Sequence, residues 1–376
     1  MKVLLYTDEF LPMVGGISTY SYEVANALKE LSVDVTMLAP NYHTDTREID
    51  DKLSFKIIRY NGKILKYHNL PSLTYKFIKF SKNFDLIHGL TYYSLFPVWI
   101  AGLVKSVPFY STLHGTDILT MNMVKFNKIV PPLNIFNKCS QITTSSSVIR
   151  NLFIDKFPEI SKDKVTAYSY GINNFWRGIN SEAVITEVHK AYPFLAGKRI
   201  VLTVARLDDR KGHEFVIDAL AGLNPDQKRE IVYIAIGKGD ADYKNILINK
   251  AKQNDIELHI LENISNDQLK VFYAISTVFC MPGKICENKV EGLGLVYLEA
   301  AAQGLPSISF KIGGVTDVIH HEINGLICAP HNVPDLQKAL TRVLFNPELR
   351  KLLSTNAQQN SLEYTWENYV KKLYKI

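Results

Sequence analysis

Cysteine is scarce. Four occur in 376 residues, at positions 139, 280, 286 and 328, with no CxxC pair and no histidine cluster beside them. That excludes a disulfide scaffold and a zinc ribbon and leaves buried, reduced thiols as the expectation. Long apolar runs are also lacking. The longest uncharged stretch, residues 86–104, contains His88, Gly89, Pro97 and Gly102, so it reads as a buried strand, turn and helix rather than a membrane span. The first residues, MKVLLYTDEF, have no extended apolar core and no small-residue cleavage site. They read as a strand, and a cytoplasmic location is expected. No short repeat is present, and 47% hydrophobic with 21% charged residues fits neither a disordered nor a fibrous chain.

Acidic residues are missing altogether between Lys52 and Phe84, where eight Lys or Arg are interleaved with Phe55, Tyr60, Tyr67, Tyr75, Phe77, Phe80 and Phe84. Such a mixture from Lys52 to Lys82 suits an anionic membrane surface; the alternative is a solvated face that keeps the protein soluble. The imbalance is local, since residues 1–170 hold 19 Lys or Arg against 14 Asp or Glu within a net charge of +6. No nucleic-acid partner is expected.

The chain is long for one core, which points to two domains. Short apolar runs alternate with helical patterns throughout. Strands are expected near residues 2–7, 33–38, 55–59, 85–88, 109–112, 141–144 and 165–168, and again near 200–205, 231–236, 257–261, 277–281 and 306–309. Helices are expected over 17–31, 293–303 and 362–374. The alternation implies an α/β fold with two doubly wound parallel sheets, Rossmann-like, with ligands at the carboxyl ends of the strands. Turn chemistry in GINNFWRG, residues 171–178, marks the boundary, giving an N-terminal domain 1–172, a C-terminal domain 173–361 and a terminal segment 362–376.

The densest chemistry lies in VEGLGLVYLEAAAQGLPSIS, residues 290–309. Glu291 stands beside a glycine turn, and Glu299 lies inside the helix that the turn begins. Gly292 and Gly294 let backbone N–H groups at the helix start approach a ligand, and the helix dipole favours an anionic or oxygen-rich one. At the end of the strand over 200–205, Arg206 and Lys211 in RLDDRKGHE put two cations beside a helix start, a site for a diphosphate. Near the N-terminus, PMVGGISTY carries Gly15 and Gly16 between a strand and a helix. STLHGTD places His114 and Asp117 at the end of another strand.

The Glu291 and Glu299 spacing, with the glycine pair, the GLP stop and the GGVTDVI that follows at 313–319, resembles the signature of the retaining family 4 glycosyltransferases, whose fold is GT-B. The resemblance covers nearly the whole chain and implies two domains facing across a cleft, the N-terminal one on the acceptor side and the C-terminal one holding a nucleotide-sugar donor, with a last helix that crosses back. It implies that Glu291 holds donor-sugar hydroxyls and Glu299 the ribose, that Arg206 and Lys211 neutralise the diphosphate as leaving group, and that the Gly15–Gly16 loop reaches the donor's phosphates. By the same resemblance His114 lies at the reacting centre, with Asp117 and Tyr20 on the acceptor side. Donor contacts are further expected from Gly292, Leu293, Gly294, Leu295 and Val296, and from Asn263 and Ile264 in LENISND, where many relatives carry glycine at the position of Asn263. Gly283 replaces a common Ser or Thr in CMPGKICENKVEG, which leaves the donor-sugar contacts of that loop open.

The implied reaction is transfer of a sugar from a UDP- or GDP-sugar to an acceptor hydroxyl, with retention and with a glycan or lipid-linked acceptor in cell-envelope synthesis. No cofactor or metal is expected, because no DxD-type cluster stands at a strand end beside this site; Asp50–Asp51 and Asp208–Asp209 read as solvated turns. Two alternatives stay open at this point: a nucleotide-sugar epimerase of the same fold, which needs no acceptor, and an inactive sugar-nucleotide-binding subunit.

Overall fold

The computed structural model describes residues 1–13, 15–62, 83–104, 107–121, 127, 131–287 and 290–376. The basic aromatic stretch from Lys52 to Lys82 therefore lies outside the described residues beyond Gly62. Contacts divide the chain into two units, Met1–Gly171 with Thr365–Ile376, and Ile172–Tyr364.

In the first unit seven parallel strands lie in the order β3-β2-β1-β4-β5-β6-β7. They are β1 Lys2–Tyr6, β2 Asp34–Pro40, β3 Lys56–Tyr60, β4 Leu86–Gly89, β5 Phe109–Leu113, β6 Gln141–Thr144 and β7 Val165–Ala167. Strand order reverses between β1 and β4, which opens a crevice at their carboxyl ends. Helix α1, Gly16–Glu30, leads away from that crevice and buries Tyr20, Val24, Ala27 and Leu28, one stripe at helical spacing.

The stretch 86–104 forms β4, a short turn at Tyr92–Ser94 and the helix Leu95–Val104. Among the described residues no helix is long and apolar enough to cross a membrane.

The terminal helix, Trp366–Tyr374, belongs to this first unit. It starts later than residue 362, because Leu362 and Glu363 close a turn on Gln359 and Asn360 and Thr365 caps the helix by accepting the Asn368 N–H at 3.0 Å. Its buried face, Trp366, Tyr369, Val370, Leu373 and Tyr374, packs on α1. A buried polar chain runs through the contact. The Tyr20 hydroxyl lies 2.9 Å from that of Tyr369 and 3.0 Å from Thr112 Oγ1. His88 bridges Thr112 Oγ1 at 2.8 Å and the Tyr374 hydroxyl at 2.5 Å. Burial pushes the His88 imidazole down to about 3, so it is neutral at pH 7.

One expected solvated turn is a brace instead. Asp50, 18% exposed, pairs at 2.6 Å with Arg59, 11% exposed. Arg59 Nη1 donates to the carbonyls of Leu11 at 2.9 Å and Pro40 at 2.7 Å, and its guanidinium lies over the Phe10 ring. Burying a charged pair is tolerated when the remaining donors are used, and Arg59 uses them on the loop that follows β1 and on the end of β2.

The second unit has six parallel strands in the order β10-β9-β8-β11-β12-β13: β8 Arg199–Val204, β9 Ile231–Ile236, β10 Leu258–Leu261, β11 Val278–Cys280, β12 Ser307–Phe310 and β13 Gly325–Cys328. β9, IVYIAI, is buried at every position, as a strand covered by helices on both faces must be. β13 is absent from the sequence reading because GLIC is four residues long, opens on glycine and sits at the sheet edge. The core gathers Val201, Ile217, Leu220, Tyr233, Leu340 and Val343. All four cysteines are free. Three are buried, whereas Cys286 is half-buried in the loop after β11, short of the burial expected for it.

Candidate active site

In the second unit the strand order reverses between β8 and β11, and the residues that follow those two strands supply the charges. Arg206 ends the β8 segment 72% exposed. Its carbonyl accepts from Nε2 of His213, 3.3 Å away, while His213 Nδ1 lies 3.0 Å from the Tyr233 hydroxyl. Burial pushes His213 down to about 4, so the imidazole is a neutral strut under the loop at pH 7. Helix α2, His213–Ala221, begins there after Gly212. Gly212 has φ +76°, and a Cβ on it would lie 2.7 Å from the Gly283 N. The loop after β8 therefore packs backbone to backbone on the loop after β11, as glycine alone permits.

That packing brings Lys211 to Glu291. The pair is closed at 2.7 Å, with side chains 15% and 19% exposed. Glu291 is held from behind. Its carbonyl accepts the Gly314 N–H at 3.0 Å, and a Cβ on Gly313, φ +49°, would lie 2.1 Å from that carbonyl oxygen. The glycines of GGVTDVI are thus a clamp on Glu291.

Helix α3, Leu295–Ala302, starts at Gly294 with no side-chain cap, so its first N–H groups are available to a ligand. Gly292, Leu295 and Val296 are half-buried at this end, whereas the Leu293 side chain is buried and offers only its backbone. One turn in, half-buried Glu299 accepts a hydrogen bond from the Tyr273 hydroxyl at 2.9 Å. Burial pushes its carboxyl up to about 7 against that bond. In the loop after β10, Asn263 is exposed at φ +58°, a left-handed conformation that asparagine tolerates better than most residues. Ile264 beside it is half-buried.

In the first unit the loops after β1, β4 and β5 meet at the crevice. Gly15 is extended, at φ 175°, and a Cβ on Gly15 or Gly16 would meet nothing within 4 Å. The His114 ring is fully engaged: Nε2 donates to the Leu90 carbonyl at 2.8 Å, and Nδ1 accepts from the Tyr170 hydroxyl at 2.6 Å. Its imidazole holds shape here rather than offering a free proton acceptor. The Asp117 carboxylate is spent as well, accepting N–H bonds from His114, Gly115 and Ile118 between 2.8 and 3.1 Å; it fixes the HGTD turn. Tyr20 needs correction as an acceptor-side residue. It is 0% exposed, its hydroxyl shared between Thr112 and Tyr369, and it belongs to the aromatic core.

Sequence reasoning passed over Asp8, 5% exposed, which accepts from the Thr91 hydroxyl and whose carboxyl burial pushes up. Its signal was a carboxylate directly after the apolar run KVLLYT, at a strand's carboxyl end. It also passed over His213 and Tyr273, whose polar atoms face inward from helices.

Two family models match the chain: Glycosyltransferase Family 4 over residues 14–174 and Glycosyl transferases group 1 over residues 184–360. The chain is similar to an uncharacterized glycosyltransferase of Methanocaldococcus jannaschii, 24% identical over 100% of this chain and 97% of that one. It is also similar to the GDP-mannose-dependent alpha-(1-6)-phosphatidylinositol monomannoside mannosyltransferase of Mycobacterium tuberculosis, 22% identical over 99% and 97%. Among solved structures, Anabaena HepE in complex with UDP superposes with a TM-score of 0.82 at 18% identity, covering 100% of this chain and 99% of that one.

Proposed function

Because the chain belongs to the glycosyltransferases of group 1 and family 4, on the GT-B fold, we propose that it moves a sugar from a UDP- or GDP-sugar to an acceptor hydroxyl with retention at the anomeric carbon. Family membership sets the epimerase reading aside. The observation that carries the proposal is the Lys211–Glu291 pair at 2.7 Å, with Glu291 three residues before the uncapped start of α3 at Gly294. Lys211, Arg206 and the helix dipole neutralise the departing diphosphate. Glu291 takes hydroxyls of the sugar and Glu299 those of the ribose, with Asn263 and Ile264 at the base. With the chain's own cations on the diphosphate, the reaction runs without a metal or cofactor. The UDP bound by HepE and the GDP-mannose named for the mycobacterial relative support a nucleotide-sugar donor. The lipid in that relative's name favours a lipid-linked acceptor, reached at the inner face of a membrane.

A thermal-shift screen against UDP, GDP, ADP and their sugar conjugates tests the donor site, since a ligand that binds only the folded state raises its melting point. One nucleotide is expected to shift the wild type and to lose that effect in Glu299→Ala and Arg206→Ala. Absence of any nucleotide shift in the wild type would remove the donor site and the reading with it.

The glycine loop gives a second test. Nothing in the fold demands glycine at 15 or 16, so Gly15→Ala with Gly16→Ala is expected to hold the melting temperature or gain about 0.4–1 kcal/mol. Turnover should fall about 100-fold, because a methyl group bars the close approach of backbone to phosphate. Full activity in the double variant would show that the loop does not touch the donor.

A further inference from the structure

The stretch RLDDRKG holds a cation that the donor reading leaves unused. Arg210 is 19% exposed, and its only ion-pair partner among the described residues is Asp208, with Nε 3.9 Å from Oδ1. The other oxygen of Asp208 lies 3.7 Å from Arg206 Nη2. One carboxylate thus stands between two guanidinium groups at contacts too long for hydrogen bonds. Asp208 Oδ1 and Arg210 Nε are both shielded from solvent, and neither has a hydrogen-bond partner. The turn is solvated as the sequence suggested, with the Asp208 side chain 37% and that of Asp209 59% exposed, but these two atoms are not. The backbone holds the arrangement: the Asp208 N–H donates to the Arg206 carbonyl at 2.9 Å, the Lys211 N–H to the Asp208 carbonyl at 3.0 Å, and the Lys284 N–H to the Arg210 carbonyl at 2.8 Å. Lys284 itself is occupied by Asp209 at 2.6 Å.

We propose that Arg210 is a third cation for the diphosphate, held off by Asp208 until the leaving group develops its charge. The proposal rests on the donor reading above. When the bond from the anomeric carbon to the β-phosphate oxygen breaks, its electron pair passes to that oxygen. The acceptor oxygen bonds to the carbon, and its proton goes to the same phosphate oxygen. Until that proton arrives the β-phosphate carries an extra negative charge, which Asp208 cannot match as a partner for Arg210. A buried guanidinium with an unmade hydrogen bond moves readily to an oxygen that completes it. The exchange therefore favours the transition state over the bound donor, the condition for raising turnover rather than tightening binding.

The test is calorimetric titration of the nucleoside diphosphate found by the screen and of the corresponding monophosphate, with steady-state kinetics on the same proteins. Asp208→Asn is expected to bind the diphosphate about fivefold more tightly and to show stronger product inhibition. Arg210→Gln should bind it about fivefold more weakly and lower kcat, with donor KM little changed. In the double variant the Asp208→Asn gain should vanish, since the carboxylate acts through the cation. Monophosphate affinity should stay constant throughout, for lack of a β-phosphate. Unchanged diphosphate affinity in both single variants would overturn the assignment, as would equal shifts for the two nucleotides, which mark a general charge effect. A wild type that binds no nucleoside diphosphate would overturn the donor reading itself, and Arg210's role with it.

Discussion

Lys211→Met is expected to lower turnover about a thousandfold, the scale on which a charge-stabilising group acts in a water-poor site. It should also destabilise the second unit. Glu291, 19% exposed, would lose its partner at 2.7 Å while its backbone stays clamped by Gly313 and Gly314. An unpaired, largely desolvated carboxylate costs about 1–3 kcal/mol. The double variant Lys211→Met with Glu291→Gln separates the two effects. Stability should return to within about 1 kcal/mol of the wild type, because no buried charge is then uncompensated, whereas activity should stay lost. Urea midpoints and initial rates on the wild type, the Lys211→Met and Glu291→Gln single variants and the double variant decide the matter. A Lys211→Met enzyme that keeps a tenth of wild-type activity would show that Lys211 does not carry the leaving group.

Glu299→Gln should make the protein more stable above pH 7 and a worse binder of nucleotide. Burial lifts the Glu299 carboxyl from an ordinary 4.5 to about 7. The folded state thus holds this proton more tightly than the unfolded chain, and the fold is penalised once the proton leaves. Below about pH 4.5 the group is protonated in both states and contributes nothing; the penalty grows between there and pH 7 and is complete above it. Glutamine is neutral at every pH and keeps an acceptor for the Tyr273 hydroxyl. The gain of the variant should be absent at pH 4.5 and reach about 1–2 kcal/mol at pH 8, after discounting the solvent that reaches a half-buried group. That corresponds to roughly 2–8 °C in melting temperature for a unit of this size. Nucleotide affinity should fall about tenfold or more, since the ribose contact proposed for Glu299 would lose its charged acceptor. In the wild type the affinity should itself decline as pH drops through 7, and in the variant it should be flat. A variant with an unaltered pH profile of stability would mean that Glu299 is ionised without strain and that its burial serves no ligand. A residue that costs stability and is nonetheless kept one turn inside a helix whose start is uncapped is the pattern of a functional site.

What the sequence made legible, and what it hid, divides along chain distance. The strands were readable because each is a local run whose alternation with helices admits few topologies. The carboxylate pair was readable because Glu291, the glycine turn, Glu299 and the GLP stop lie within one short motif. Lys211 and Arg206 were readable as cations at a strand end. Their partners were not. That Lys211 meets Glu291, and that Gly313 backs it, depends on β8, β11 and β12 lying side by side. Tyr20 failed for the same reason. From its own neighbourhood it is a tyrosine on an amphipathic helix near a glycine loop, and only the terminal helix, carrying Tyr369 and Trp366, makes it core. Asp50 looked solvated because its partner, Arg59, reaches it from β3. His114 and Asp117 were correctly put at a strand end, but which of their atoms are already bonded is a property of packing against Leu90 and Tyr170, which no spacing reveals.

The membership of Thr365–Ile376 in the first unit has a consequence for synthesis. A ribosome delivers residues 1–171 first, yet the socket formed by Tyr20, His88, Thr112 and Tyr170 is closed by Trp366, Tyr369 and Tyr374, which emerge only after the whole of the second unit. The half of the protein that is made first is thus the half that is finished last. The nascent chain must hold an open aromatic surface while the second unit, one continuous segment, completes itself. A truncation at residue 364 would therefore do its damage near residue 20.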